Sequence, residues 1–197
     1  DKYGVPRMCF VNKMDRMGAD FYKALDSIKE RLGANVAVLQ LPIGYESDYV
    51  GVVDLVTMKA WIWNSEDLGA SWEIVDIPED LAERAAEYRH ELLATIASVG
   101  EELMESSLHN DDLTVEELRR GIREATLHHG VVPVLNGTAF KNKGVQPLLD
   151  AVCFYMPSPA DLPPVDGLDR KDEPVQRKPD VNEPFSALAF KIMTAPH

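Results

Sequence analysis

Two short apolar runs, far apart in the chain, have the composition of buried β-strands. Residues 8–11 have the sequence Met-Cys-Phe-Val, and residues 131–135 have the sequence Val-Val-Pro-Val-Leu. Both are continuous apolar runs of strand length, and the second is rich in β-branched side chains. The pattern therefore predicts two strands inside an α/β sheet.

The chain between these two strands is too long for a single crossover helix. A helix after the first strand can be capped by Asp20 and end at Gly33. Its apolar stripe is Phe21, Ala24, Leu25, Ile28 and Leu32. A strand–helix–strand crossover needs about 30 residues, whereas Asn12 and Thr138 are 126 positions apart. Since a structureless loop of that length is not credible, residues 36–129 are predicted to fold as an inserted α+β subdomain.

The predicted insertion has strands first and helices after them. Strands are expected at residues 36–41, 50–56, 59–63 and 72–77. A helix is expected from Pro78 to Ala97, with Leu81, Ala85, Tyr88, Leu92 and Ile96 near one face. A second helix begins at Thr114, whose side chain fits a capping box with Glu117. Beyond the insertion, residues 145–152 have the pattern of a further helix.

Prolines set the remaining boundaries. Residues 157–184 contain seven prolines and show no sustained periodicity, which is typical of an extended linker. We place this predicted linker at residues 158–184. Phe185 to Met193 is predicted to be a strand that opens a new unit, residues 185–197. Residues 1–35 and 130–157 form the unit that carries the two buried strands.

The tetrad Asn12-Lys13-Met14-Asp15 directly follows the first buried strand. Ligands of open α/β sheets bind beyond the carboxyl ends of the strands. An aspartate there can accept hydrogen bonds from guanine N1–H and from the 2-amino group, whereas adenine offers no donor at either position. The stem of Lys13 can lie along the base, and the Asn12 amide can tie neighbouring loops together. A polar turn after a strand is the alternative interpretation of the tetrad alone.

The second buried strand ends in Asn136-Gly137-Thr138-Ala139-Phe140. Small residues after a strand allow backbone N–H groups to approach a ligand closely. In a guanine pocket such an N–H donates to O6, where adenine carries an amino group. Two loops would therefore recognise three edges of one base.

Four stretches resemble the translational GTPases, and among them the bacterial elongation factor G family, in the order in which that family has them. They are residues 10–21 (FVNKMDRMGADF), 51–56 (GVVDLV), 137–145 (GTAFKNKGV) and 183–192 (EPFSALAFKI). The resemblance implies a partial P-loop-GTPase-type sheet with an inserted subdomain, followed by the first strand of a β-barrel that is cut off at His197. It also implies a cytoplasmic, ribosome-dependent GTPase that drives translocation of tRNA and messenger RNA.

The same resemblance implies residue roles and a ligand. Asn12, Lys13 and Asp15 match the family's fourth guanine-nucleotide motif, and Thr138 and Ala139 match its fifth. GTP or GDP is the expected ligand, with Mg²⁺ in the parent protein. The family more often has serine in place of Thr138, and because the expected contact there is mainly through backbone, the added methyl group is expected to matter little.

The elements that hold phosphate are missing from the printed sequence. Nothing matches G-x-x-x-x-G-K-[ST], and no switch threonine, D-x-x-G or water-positioning residue can be placed. In the family these elements precede the first residue seen here. We therefore expect an excised piece with no catalytic residue and no GTPase activity of its own. No metal site is expected either, because no spacing of Cys, His, Asp or Glu fits one. No membrane span is expected, since no apolar run reaches about 18 residues.

Charge is concentrated in one part of the chain. Residues 64–118 hold sixteen acidic residues against two arginines and no lysine, while the whole chain has a formal charge of −13. Such a surface repels phosphate, so no RNA contact is expected from residues 64–118, and it can attract a basic protein face. The resemblance implies that the corresponding helix faces the ribosomal stalk protein, and the expected contact residues are Glu79, Asp80, Glu83, Glu87 and Glu91. A solvated face kept for solubility is the alternative.

Two other functions stay open at this point. One is a ribosomal-protection or release-factor GTPase of the same superfamily. The other is a non-enzymatic acidic interaction module that keeps the fold, which a parent gene without a phosphate loop would favour.

Overall fold

The computed structural model describes residues 2–64, 69–99, 113–128, 130–187 and 189–193. The chain divides into two compact units, residues 1–156 and 157–197. The first unit contains, in chain order, β1 (Cys9–Val11), α1 (Phe21–Leu32), β2 (Val36–Val38), β3 (Gln40–Ile43), β4 (Gly51–Asp54), β5 (Lys59–Trp63), β6 (Trp72–Val75), α2 (Glu79–Ala97), α3 (Val115–Leu127), β7 (Val132–Asn136) and α4 (Val145–Tyr155).

The two predicted buried strands are neighbours in one parallel sheet. Its strand order is β1-β7-β2, with Cys9 opposite Val134 and Val36 opposite Val132. All five residues of β7 are buried, as the continuous apolar run predicts for a central strand. Since β1 and β7 run in the same direction, the loops that follow them leave the sheet at the same edge.

A second, antiparallel sheet has the order β3-β4-β5-β6. We predicted one strand over residues 36–41, but the structure has two there, because the chain passes from one sheet into the other at Leu39. The N–H of Leu39 donates to the Val134 carbonyl at 3.0 Å, while its own carbonyl accepts the N–H of Leu55 at 2.9 Å. Residues 36–38 therefore belong to the parallel sheet, and the bounds of the inserted subdomain stay a prediction.

The helices begin where their capping residues predict. The Asp20 side chain accepts the N–H of Lys23 at the start of α1, and Gly33 ends that helix with φ 59°. Both halves of the capping box between Thr114 and Glu117 are formed at the start of α3. Local hydrogen bonds therefore fix the N-termini of α1 and α3.

The helices bury only part of their predicted apolar faces: Phe21 and Leu25 of α1 are buried, whereas Leu32 of the same predicted stripe is 71% exposed. Ala85, Leu92 and Ile96 of α2 are buried, and α2 packs against β2 and α3. In turn, α3 packs against β7 and α4. One apolar core therefore extends from the parallel sheet into the α2–α3 layer. No helix in the described part of this chain is both long and apolar enough to cross a membrane.

The second unit corrects two predictions. The proline-rich segment expected to be an extended linker contains an antiparallel hairpin of β8 (Val165–Leu168) and β9 (Pro174–Arg177). Asp169 stabilises its turn, because its side chain accepts the N–H groups of Lys171 and Glu173. The strand expected over residues 185–193 is wrong for the described residues 185–187 and 189–193, which lie in neither helix nor strand. A strand needs a paired neighbour, and the composition of this segment could not show whether one is present.

Candidate functional site

Two loops meet at the carboxyl edge of the parallel sheet, the β1 loop (residues 12–19) and the β7 loop (residues 137–144). The N–H of Gly137 donates to the Val11 carbonyl at 3.0 Å, and the N–H of Met14 donates to the Gly137 carbonyl at 3.1 Å. Backbone hydrogen bonds therefore fix the first residues of each loop against the other. All five residues predicted to recognise guanine lie in these loops.

The carboxylate of Asp15 is held from the β7 loop on both of its oxygens. Oδ1 accepts the hydroxyl of Thr138 at 2.6 Å, and Oδ2 lies 3.0 Å from Nζ of Lys141. The Asp15 side chain keeps only 14% of its surface exposed, while the Lys141 side chain keeps 46%. The Thr138 hydroxyl bond, and after it the bond and charge of Lys141, hold the pKa of Asp15 below its ordinary value. Asp15 is therefore an ionised, oriented acceptor, and each oxygen retains a further lone-pair direction.

The side chain of Asn12 bridges the two loops. Its Oδ1 accepts the N–H of Lys13 at 2.8 Å and the N–H of Ala139 at 3.0 Å. A backbone N–H of the β7 loop is predicted to donate to guanine O6, and the N–H of Ala139 is one candidate. In this structure it is engaged by Asn12, so a base that binds here has to share or replace that bond.

Lys13 lies at the turn of the β1 loop with φ 65°, a left-handed conformation that costs energy for a residue other than glycine. The N–H of Arg16 closes this turn by donating to the Lys13 carbonyl at 3.0 Å. Lys13 is exposed, and its neighbour Met14 is buried at 1% exposure. The turn therefore places the lysine at the surface of the site and anchors the loop through the methionine.

The β7 loop is packed so closely that it has room only for glycine at residue 137. A Cβ atom added to Gly137 would lie 2.5 Å from Cζ of Phe10 and 2.6 Å from the carbonyl oxygen of Lys143. Gly144 has φ 83°, and a Cβ there would lie 2.7 Å from the Asn136 carbonyl oxygen. Close approach of backbone, and not flexibility, explains both glycines.

Sequence reasoning missed the side-chain groups that orient the predicted residues. At Thr138 the expected contact was mainly through backbone, but its side-chain hydroxyl also bonds to Asp15. Serine carries the same hydroxyl, so the exchange of serine for threonine keeps this bond. Lys141 was not singled out, although its place three residues after Thr138 puts it in the same tight turn, where its N–H donates to the Thr138 carbonyl at 3.0 Å.

The five predicted partner-binding residues lie elsewhere, on α2. Glu79, Asp80, Glu83, Glu87 and Glu91 are all exposed. Seven further acidic residues of the 64–118 segment lie outside the described residues: Glu66, Asp67, Glu101, Glu102, Glu105, Asp111 and Asp112. Two of the five, Glu87 and Glu91, line a cleft together with Tyr22 and Tyr45.

Comparison with known proteins gives three findings. Residues 1–158 match the family described as the elongation factor Tu GTP binding domain. The chain is 56% identical over 198 aligned positions to an elongation factor G from Amoebophilus asiaticus (strain 5a2), an alignment that covers 100% of this chain and 28% of that protein. A crystal structure of a protein from Thermus thermophilus superimposes with a TM-score of 0.71 at 28% identity, covering 83% of this chain and 24% of that one. The chain thus spans about a quarter of the length of these relatives.

Proposed function

Because the chain belongs to the elongation factor Tu GTP-binding domain family, we propose that it is part of an elongation factor G, where it recognises the guanine base of GTP and GDP. In this proposal the longer protein is a ribosome-dependent GTPase that drives translocation in protein synthesis. This chain contributes the base-binding half of its nucleotide site.

The observation that carries the proposal is the meeting of the Asp15 carboxylate and the Ala139 N–H at one edge of the parallel sheet. Asp15 accepts guanine N1–H and the 2-amino group through lone pairs that Thr138 and Lys141 leave open. The Ala139 N–H turns from Asn12 to O6 of the base. Lys13, exposed on its left-handed turn, covers the base plane with its methylene stem.

Hydrolysis depends on residues outside this chain. The printed sequence has no phosphate-binding loop, so the chain alone binds nucleotide weakly and releases no phosphate. Within the described ranges, no cluster of three or more His, Cys, Asp or Glu side chains could hold a metal ion. In this proposal the residues that hold the Mg²⁺ of the nucleotide belong to other parts of the longer protein.

The exposed acidic face of α2 is the proposed contact for a basic protein of the ribosomal stalk. Its five carboxylates are exposed on successive turns of one helix. Negative charge of this density disfavours contact with the RNA backbone and favours a cationic protein surface.

The proposal is tested by Asp15→Asn in the longer protein. The substitution places an amide donor against guanine's 2-amino group, whereas the 2-oxo group of xanthine can accept from it. Preference should move from GTP toward XTP by about 1–3 kcal/mol, since a buried polar group is otherwise left unpaired. Equilibrium binding of both nucleotides measures the shift.

Asp26→Asn is the matched control, because Asp26 is an exposed carboxylate of α1 away from the loops. It should leave the ratio of GTP to XTP affinity unchanged. An Asp15→Asn variant with the same ratio as the unaltered protein would show that Asp15 does not recognise the base.

A further inference from the structure

A six-residue segment between β3 and β4, residues 44–49, is hydrogen bonded to both loops of the nucleotide site. It follows β3 of the antiparallel sheet, so it comes from a part of the chain that holds none of the predicted guanine contacts. We name it the bracing segment. Its contacts connect the two sheets at the edge where the base is proposed to bind.

One end of the bracing segment holds the β1 loop. The N–H of Glu46 donates to the Met14 carbonyl at 3.0 Å, and Oε1 of Glu46 accepts the N–H of Gly18 at 2.6 Å. Glu46 adopts a left-handed φ of 51° to make both contacts. The loop that carries Asp15 is therefore held at two of its peptides by one residue.

The other end holds the β7 loop through two buried side chains. The hydroxyl of Tyr49, which is 1% exposed, donates to Oδ1 of Asn136 at 3.0 Å. The carbonyl of Tyr49 accepts Nζ of Lys143 at 3.0 Å, and Lys143 is only 6% exposed. The backbone carbonyl of Lys143 in turn accepts the N–H of Thr138 at 2.9 Å. A continuous series of bonds therefore runs from Tyr49 through Lys143 and Thr138 to Asp15.

Burying the Lys143 ammonium group costs desolvation free energy. Taking an ammonium group out of water carries a penalty that hydrogen bonds must offset. Burial, and next the neighbouring charge of Lys141, lower the pKa of Lys143, while the charge of Asp15 acts in the opposite sense. A purely apolar side chain would pack here without this penalty, so the polar contact has a role beyond filling space.

We infer that Glu46, Tyr49 and Lys143 are positioning residues for guanine recognition, which set the distance between the Asp15 carboxylate and the Ala139 N–H. The inference rests on the proposed function, since it names the groups that shape the same site. Loss of one of these hydrogen bonds allows the two loops to shift relative to each other. The hydrogen bonds to the base then weaken more than the stability of the fold.

The test uses the longer protein and three measurements: the dissociation rate of GDP, the ratio of GDP to IDP affinity, and the thermal midpoint without nucleotide. IDP lacks the 2-amino group, so the ratio reports how well Asp15 is aimed. Lys143→Met should raise the GDP dissociation rate about tenfold and lower the ratio toward one, because it removes a buried bond to a charged group. Tyr49→Phe, which deletes one hydroxyl and keeps the carbonyl contact, should give a change in the same direction of about threefold.

Tyr45→Phe is the matched control, since Tyr45 lies in the same segment with 42% exposure. It should leave the dissociation rate and the ratio unchanged. Lys143→Arg keeps the cation and should restore most of the ratio.

Two results overturn the inference. In one, Lys143→Met and Tyr49→Phe lower the thermal midpoint but leave the GDP to IDP ratio intact, which is the behaviour of groups that only stabilise the fold. In the other, Tyr49→Phe is folded and indistinguishable from the unaltered protein in all three measurements. Asp15→Asn, measured in parallel, separates this failure from that of the proposed function: if it too leaves base preference unchanged, the site does not recognise guanine at all.

Discussion

At the scale of single residues, the proposed nucleotide site depends on how Asp15 is held. Its carboxylate accepts a hydroxyl and faces an ammonium group, both from the β7 loop. Charged hydrogen bonds of this kind are roughly twice as strong as neutral ones. They also join the two loops before any base is present, so the ordering cost of the acceptor is met in the free protein.

Thr138→Val should raise the pKa of Asp15, because the hydroxyl bond is the largest cause of its lowered value. A carboxylate with a lowered pKa in the folded state contributes stability above its unfolded value of about 3.9, and this contribution is lost as the pH falls through the lower folded value. In the variant this contribution should be smaller, and its loss should be complete at a higher pH. NMR titration of the Asp15 carboxyl carbon measures the midpoint, and an unmoved midpoint would mean that Lys141 alone sets it.

Gly137→Ala should destabilise the chain by about 1–3 kcal/mol, because overpacking forces neighbours to move. The new methyl group would meet the ring of Phe10 and a backbone carbonyl. Gly167→Ala is the control, since nothing lies within 4 Å of a Cβ there. Urea unfolding, followed by tryptophan fluorescence, measures both variants. Equal midpoints for the two would contradict the packing argument.

The residues proposed to contact the base were named from sequence, but the groups that position them could not be. Asn12, Lys13 and Asp15 are close together in the chain. The buried strand before them predicts that they lie at the carboxyl edge of the sheet. Glu46 and Tyr49 are far from both loops along the chain and carry no local signal. Their role exists only once β3 and β4 bring them to the sheet edge, so it depends on tertiary structure.

At the scale of elements, prediction succeeded where the signal is local. The ends of α1 and α3 follow from Asp20, Gly33 and the Thr114–Glu117 capping box, all within one helical turn of the terminus. Prediction failed where the structure depends on which strands pair with each other. Residues 36–41 form one uninterrupted run with no turn residue to mark the change of sheet. The hairpin of β8 and β9 was missed because its prolines outweighed a short β pattern.

Thr114→Ala should cost about 1 kcal/mol of stability, the usual penalty for losing a helix N-cap. The side chain accepts the N–H of Glu117 and donates to its carboxylate at 2.7 Å, so both of these bonds are lost. Glu116→Ala is the control, as Glu116 is an exposed residue of the same first turn. Amide exchange of α3 should accelerate in the first variant and stay nearly constant in the second. Equal exchange rates in the two variants would show that the capping box does not stabilise α3.

At the scale of the whole molecule, the acidic residues of α2 and the proposed base-binding residues lie on different elements. The chain carries −13 overall, and the proposed nucleotide site nevertheless gathers lysines at positions 13, 141 and 143. The acidic face of α2 can act on a partner without opposing the phosphates of a nucleotide. Fields of this kind alter encounter rates more than final affinity.

Reversal of Glu83 and Glu87 to Lys in the longer protein should slow its association with ribosomes and flatten the salt dependence of that rate. GTP binding should change little, since both residues are exposed on α2. Stopped-flow association at several ionic strengths measures the effect. Rates that match the unaltered protein at low salt would favour the alternative of a solvated face kept for solubility.

The backbone hydrogen bonds of Leu39 couple the local unfolding of the two sheets in the first unit. One residue donates into the parallel sheet and accepts from the antiparallel one, so neither sheet can separate locally without disturbing the other. Cooperative units of this kind exchange their amide hydrogens with a common free energy. The amides of Leu39 and Leu55 should therefore exchange at matched rates, and the bracing segment should share their protection. Removal of the antiparallel sheet would leave the Leu39 carbonyl without the Leu55 N–H, so the parallel sheet alone should unfold as a different cooperative unit.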